Sequence, residues 1–103
     1  MKYDAIVIGA GPGGYVAGIR LGQFKRKVLV VEKKYIGGVC LNVGCIPTKA
    51  LIHSAHLLSK IKNAKRTMGL KINDDISYDI ETLRKWKDKA VNKLTKGVEF
   101  LWK

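Results

Sequence analysis

Residues 3–8 (Tyr-Asp-Ala-Ile-Val-Ile) are apolar and β-branched almost without alternation, which predicts a parallel strand buried on both faces. Glycines follow at once in Gly9-Ala10-Gly11-Pro12-Gly13-Gly14, and residues 15–24 have helical composition. Residues 27–31 form a second apolar, β-branched run that closes on Glu32. The order is strand, helix, strand, and a right-handed crossover of this length places the two strands side by side and parallel. Gly37-Gly38 breaks the pattern and leads into a segment with two cysteines. From Thr48 to about Thr67, Leu51, Ile52, Ala55, Leu58 and Ile61 recur at helical spacing, and Gly69 stands where a terminator belongs. After an irregular link over residues 70–78, Asp79 is placed to cap a third helix with the stripe Ile80, Leu83, Trp86, Ala90, Leu94, Val98, Leu101. Gly97 weakens its last turn, and Trp102 falls at the frayed end.

With 103 residues the chain holds one domain at most. A hydrophobic fraction of 47% supports a folded core and argues against a basic disordered tail. No internal repeat, low-complexity segment or Pro/Ser linker marks a boundary inside it. The formal net charge is +12, carried evenly: eight basic against two acidic groups in residues 1–50, twelve against six in residues 51–103. Such a surplus attracts nucleic acid, anionic membranes or phosphate ligands without identifying any of them. The lysines alternate with apolar helical positions, as on a solvated surface, and no array of aromatics accompanies them for base stacking. A basic module binding nucleic acid or an acidic partner on a β-α-β scaffold is the alternative reading; no specific nucleic-acid partner is expected. No apolar stretch approaches the roughly 20 residues of a membrane span, so no membrane partner is expected either. The chain enters its first strand without a basic leader or signal-length apolar region, which makes the cytoplasm the expected compartment.

Gly9, Gly11 and Gly14 spell G-x-G-x-x-G between a predicted strand and a predicted helix, with Glu32 closing the second strand about 20 residues on. The first glycine serves the tight turn, the second lets backbone approach a pyrophosphate, and the third permits close helix–strand packing. The helix start offers free N–H groups and positive dipole to a diphosphate, and Glu32 can accept hydrogen bonds from ribose hydroxyls. An acid rather than an arginine there disfavours a 2′-phosphorylated ribose. At this level the motif fits FAD and NAD alike.

Cys40 and Cys45 enclose Leu-Asn-Val-Gly. A Cys2His2 zinc site with His53 and His56 is arithmetically open, but the Cys45–His53 spacing along a shared helix would hardly close a tetrahedron. Buried inert thiols are a second alternative, and the two histidines read as residues of a half-exposed helical face. A dithiol that cycles with a disulfide accounts better for a close pair in a reducing compartment: one thiol is the low-pKa nucleophile near a helix start or cation, with Lys49 one turn beyond Cys45, and the other resolves the mixed disulfide.

The run from Gly37 to Lys49, Gly-Gly-Val-Cys-Leu-Asn-Val-Gly-Cys-Ile-Pro-Thr-Lys, resembles the redox-disulfide signature of the pyridine nucleotide-disulfide oxidoreductases, most closely their lipoamide branch. Residues 3–14 with Glu32 resemble that family's FAD-binding β-α-β, and residues 94–101 the end of its third helix. The resemblance implies an α/β fold: a Rossmann-like FAD-binding half-domain followed by two helices, with an incomplete parallel sheet. It divides residues 1–103, the N-terminal part of an FAD-binding domain, into a β-α-β unit (1–36), the redox-cysteine segment and its helix (37–69), and a link with a third helix (70–103).

It further implies that Gly9, Gly11 and Gly14 hold the FAD diphosphate, Glu32 the adenosine ribose, and Gly38, Val39 and Cys40 the flavin-proximal loop. Cys40 is then the interchange thiol, Cys45 the charge-transfer thiol against the isoalloxazine, and Lys49 a cation near the flavin's reactive edge. Thr48 stands where serine is common in the lipoamide branch. The implied activity is oxidation of dihydrolipoamide by NAD through flavin and the Cys40–Cys45 disulfide. The NAD and dimer-interface domains, with the acid–base His-Glu pair, are expected to be missing, and neither histidine here matches that His. The 103 residues then read as a fragment, a truncated frame or half of a split enzyme, inactive alone. Its partners are FAD and either itself or the polypeptide with the missing strands, because two strands alone leave edges unpaired and Val/Ile surface exposed.

Overall fold

The computed structural model describes residues 1–102. Six elements follow in order: strand β1 (Ala5–Ile8), helix α1 (Pro12–Gln23), strand β2 (Val28–Val31), a short helix α2 (Gly38–Val43), and two long helices, α3 (Cys45–Thr67) and α4 (Ile80–Leu101). β1 and β2 pair in parallel, Ala5 opposite Val28 through Ile8 opposite Val31. The Asp4 N–H donates to the Lys27 carbonyl, and the Asp4 carboxylate accepts from the Lys27 N–H, so one residue fixes the register at the strands' start. At their end the Gly9 N–H continues the ladder to the Val31 carbonyl.

The sequence predicts both sheet faces buried, and the structure covers one. Val7 and Val30 face α1, each within reach of one of its glycines. On the other face Ile6 and Ile8 remain 61% and 87% exposed, and Val31 is exposed beside them. Covering such side chains fully contributes about 1.5–3 kcal/mol each, stabilisation that this face does not obtain within the chain. The core is correspondingly small: Ala10, Leu41, Val91 and Val98 are its buried apolar residues.

α3 and α4 run antiparallel. Asn42, just ahead of α3, meets Thr95 late in α4, whereas His53, two turns into α3, stacks with Trp86 early in α4. This register leaves the last turns of α3 extending past the start of α4. α4 has the stop and start signals expected around it: Gly69, at φ +72°, follows the end of α3, and the Asp79 carboxylate caps α4 by accepting from the Glu81 and Thr82 N–H groups. Its predicted apolar stripe is only partly covered. Val98 is buried and Leu83 and Ala90 are half-buried, while Ile80, Trp86, Leu94 and Leu101 stay exposed, and Val91, outside the predicted stripe, is buried. The α3 stripe is likewise only partly covered: Leu58 and Ile61 are half-buried, Leu51 and Ile52 exposed. Trp102, expected at a frayed end, instead packs back over Gly18 of α1, with its indole N–H shielded from solvent and without an acceptor.

The radius of gyration is 19.8 Å, against about 13 Å for a compact chain of 100 residues, and the long axis spans 66 Å. No helix among the described residues is long and apolar enough to cross a membrane.

Candidate functional site

The glycine turn, the acid that closes β2 and the cysteine segment converge on one peptide. Ala10 is fully buried. Its N–H donates to Glu32 Oε2 at 2.7 Å, and its carbonyl accepts from the Gly37 N–H at 2.8 Å. Glu32 Oε1 takes further N–H donors from Lys34 at 2.8 Å and Tyr35 at 3.3 Å. Ala10 above all, then Lys34, holds the Glu32 carboxyl below its ordinary range, because each donated N–H favours the ionised form. Glu32 is thus a brace for the turn and for the loop leading to the cysteines, a role its position in the sequence did not announce.

Two glycines make the close approaches. A Cβ on Gly14 would overlap the Gly9 carbonyl, so β1 and α1 meet at a distance open to glycine alone. A Cβ on Gly38, which has φ +65°, would lie 2.6 Å from the Gly11 Cα; the cysteine segment therefore rests directly on the glycine turn. α1 begins at Pro12, with Gly11 as its N-cap, no capping side chain and no acid in its first turn. Its amino-terminal N–H groups are free for an anion, and the bare glycine backbone beside them is the surface a diphosphate requires. These residues fit a bound dinucleotide.

α2 carries no periodic signal in the sequence. Gly38–Val43 is helical from an αL N-cap at Gly37, and Cys40 lies within it, half-buried. Gly44 separates α2 from α3, which starts at Cys45 rather than at Thr48 and also lacks a capping side chain. Cys40 and Cys45 are joined in a disulfide with Cα atoms 4.5 Å apart. Cys45 is exposed and occupies the first position of a 23-residue helix, where the positive end of the dipole stabilises a thiolate once the bond opens. Lys49 is exposed one turn further on, and Val39 is exposed on α2. Asn42, which sequence reasoning passed over, donates from Nδ2 to the Ile36 carbonyl at 2.9 Å and to the Gly38 carbonyl at 2.8 Å. Its signal was a lone amide among the apolar residues between two cysteines.

Cys40 and Cys45 are paired with each other in the structure, and among the described residues no group of three or more His, Cys, Asp or Glu side chains stands together as a zinc site requires. His53 instead stacks with Trp86 at a centroid distance of 6.4 Å, and His56 is exposed.

The family model described as pyridine nucleotide-disulphide oxidoreductase matches residues 3–103. The chain is 51% identical over 103 residues to a dihydrolipoyl dehydrogenase of Staphylococcus aureus, matching 100% of this chain and 22% of that protein. It is 52% identical over 104 residues to the dihydrolipoyl dehydrogenase of Bacillus subtilis (strain 168), again 100% of this chain and 22% of the relative. A mitochondrial dihydrolipoyl dehydrogenase of Dictyostelium discoideum is 48% identical over 103 residues, 99% of this chain and 21% of the relative. Among solved structures, the Cu(II) complex of the HOCl-induced flavoprotein disulfide reductase RclA from Escherichia coli superposes with a TM-score of 0.72 at 26% identity, covering 96% of this chain and 19% of that one. The chain therefore spans about a fifth of the length of these relatives.

Proposed function

We propose, from the premise that this chain belongs to the pyridine nucleotide-disulphide oxidoreductase family, that it is the amino-terminal FAD-binding portion of a disulfide oxidoreductase of the dihydrolipoyl dehydrogenase type. The observation that carries the proposal is the placement of the Cys40–Cys45 disulfide, at the start of α3 and on a loop that rests through Gly38 on the glycine turn.

In this role Gly9, Gly11 and Gly14, with the free N–H groups of α1, hold the FAD diphosphate. Glu32 accepts from the adenosine ribose: an ionised carboxylate has about four lone-pair sites, and three N–H groups of the chain leave room for a hydroxyl. Gly38, Val39 and Cys40 would hold the flavin end of FAD, and Lys49 would supply a cation to the charge that builds up on its reduction. FAD, when bound, supplies the two-electron relay between the disulfide and NAD.

The dipole of α3 supports one polarity for the exchange. A thiolate of the substrate dithiol attacks Cys40 Sγ, the Cys40–Cys45 bond breaks, and Cys45 leaves as the thiolate that the helix start stabilises; the better leaving group is the thiol of lower pKa. The second substrate thiolate then attacks its own sulfur in the mixed disulfide and releases Cys40. The substrate ends as a disulfide, two electrons rest on the protein pair, one proton is on Cys40 and one goes to solvent. Neither His53 nor His56 has a part in this step. The complete NAD-linked cycle belongs to the longer polypeptide of which the relatives are examples, and the exposed Ile6 and Ile8 with the free strand edges support docking onto the missing strands or onto a second copy. We place the chain in the cytoplasm, where a close cysteine pair is a redox couple rather than a staple.

The test is direct. Purified chain is mixed with FAD, alone and with the remaining family domains, then dialysed and read by visible absorption; dihydrolipoamide is added, and opening of the disulfide is counted by mass after alkylation. Retained flavin and two alkylated cysteines per chain support the proposal. A colourless chain whose disulfide ignores dihydrolipoamide sinks it, and salt-dependent binding of RNA or DNA in its place would favour the basic-module alternative.

A further inference from the structure

We infer that Asn42 is a positioning residue that keeps the six-residue cysteine loop set for disulfide closure in both redox states. The inference rests on the reading of Cys40–Cys45 as a cycling pair. A loop that opens its disulfide on every turnover regains conformational freedom each time, and closing it again costs the entropy of that freedom. Something other than the disulfide must hold the loop while the bond is open.

Asn42 is placed to do so. It lies between the two cysteines, half-buried, and commits both amide hydrogens to backbone carbonyls: Ile36, in the loop that precedes α2, and Gly38, in the first turn of α2. Its Oδ1 lies 3.5 Å from the Thr95 hydroxyl of α4. The loop carrying Ile36 is itself pinned, through Glu32 to the Lys34 and Tyr35 N–H groups and through the Gly37 N–H to the Ala10 carbonyl. One side chain therefore ties the cysteine loop to the segment pinned on the glycine turn and faces α4 at Thr95, and neither of its two short bonds involves sulfur. α2 has no capping side chain at its N-cap and six residues, so Asn42 replaces stability that so short a helix lacks.

The consequence is a shift in the thiol–disulfide equilibrium. With dithiothreitol as the reductant, the reaction exchanges one dithiol and one disulfide on each side: reduced dithiothreitol plus oxidised chain gives oxidised dithiothreitol plus the Cys40, Cys45 dithiol. Asn42→Ala leaves the open loop freer, so its closure constant falls about tenfold, a rise of about 30 mV in the potential of the pair. Asn63→Ala, on the exposed surface of α3, leaves the constant unchanged. A change under threefold in Asn42→Ala, or one of opposite sign, overturns the inference. Should the variant fail to fold, the unaltered chain decides: the Nδ2 protons of Asn42, followed by NMR hydrogen exchange, stay protected in both oxidised and reduced chain, and loss of that protection on reduction overturns it. Failure of the parent reading is a separate result, since it is read from the unaltered chain's indifference to dihydrolipoamide.

Discussion

Replacing Gly14 by alanine sets two effects of opposite sign against each other within one helix. Alanine is favoured over glycine in a helix interior by about 0.8–1 kcal/mol. At Gly14 the new methyl overlaps the Gly9 carbonyl and comes within 2.8 Å of its carbon. The obstacle is backbone at the end of β1, which cannot rotate away as a side chain would. Overpacking costs about 1–3 kcal/mol where side chains can adjust, so the upper end applies and the variant loses about 2 kcal/mol net. Gly97 is the control: nothing lies within 4 Å of its Cβ direction, and Gly97→Ala gains the helical preference of about 0.8–1 kcal/mol without the overlap. The two substitutions are chemically identical and separate by about 3 kcal/mol. Urea unfolding followed by circular dichroism measures this. With a slope of about 1 kcal/mol per molar for a chain this small, Gly14→Ala lowers the midpoint by about 2 M and Gly97→Ala raises it by about 1 M. A Gly14→Ala midpoint at or above that of the unaltered chain would show that β1 and α1 are not in the contact described, and the close approach under the glycine turn would fall with it.

Three further outcomes follow from the same geometry. In Cys40→Ser the remaining Cys45 reacts with iodoacetamide at lower pH than the remaining Cys40 does in Cys45→Ser, because only Cys45 sits at the start of α3; equal pH profiles would remove the basis for treating Cys45 as the leaving thiolate. Glu32 is held below its ordinary carboxyl range, first by the Ala10 N–H, so its stabilising effect is complete above that range and lost as pH falls through the depressed value. Acid titration of the unaltered chain therefore shows a loss of ellipticity that Glu32→Gln flattens while lowering stability near neutrality, the amide nitrogen being unable to accept from Ala10 or Lys34. Asp79→Ala removes the acceptor of the Glu81 and Thr82 N–H groups and of the Thr82 hydroxyl; α4 loses ellipticity at its first turn, and Asp79→Asn restores most of it, whereas equal helicity in the alanine variant would mean that the cap is idle.

The β-α-β unit was legible because buried strands and a glycine turn leave local signals: β-branched runs, three spaced glycines, an acid at the strand end. Asp79 and Gly69 marked helix boundaries for the same reason. Both helix starts at prolines were read late. α1 begins at Pro12 and α3 has Pro47 in its first turn, positions where proline costs no hydrogen bond, yet glycine and proline together look like breakers. α2 was invisible, since Gly-Val-Cys-Leu-Asn-Val has no amphipathic period and its helix depends on Asn42 and on contacts with α3 and α4. In the site, residue types announced Cys40, Cys45 and the glycines. Ala10 and Asn42 were not found, because Ala10 contributes through its peptide groups and Asn42 through partners that come together only after folding. The α4 stripe was covered only at Leu83, Ala90 and Val98 because a helix with a wide apolar face is oriented by its neighbours.

The lopsided proportions of the chain bear on how its association must be measured. A body about 66 Å long and 25 by 18 Å across meets more hydrodynamic drag than a sphere of equal mass. On a sizing column calibrated with round proteins, one copy will elute early and mimic a pair. Light scattering, which reports molar mass without reference to shape, is therefore the instrument that distinguishes a lone rod from two molecules joined through Ile6 and Ile8.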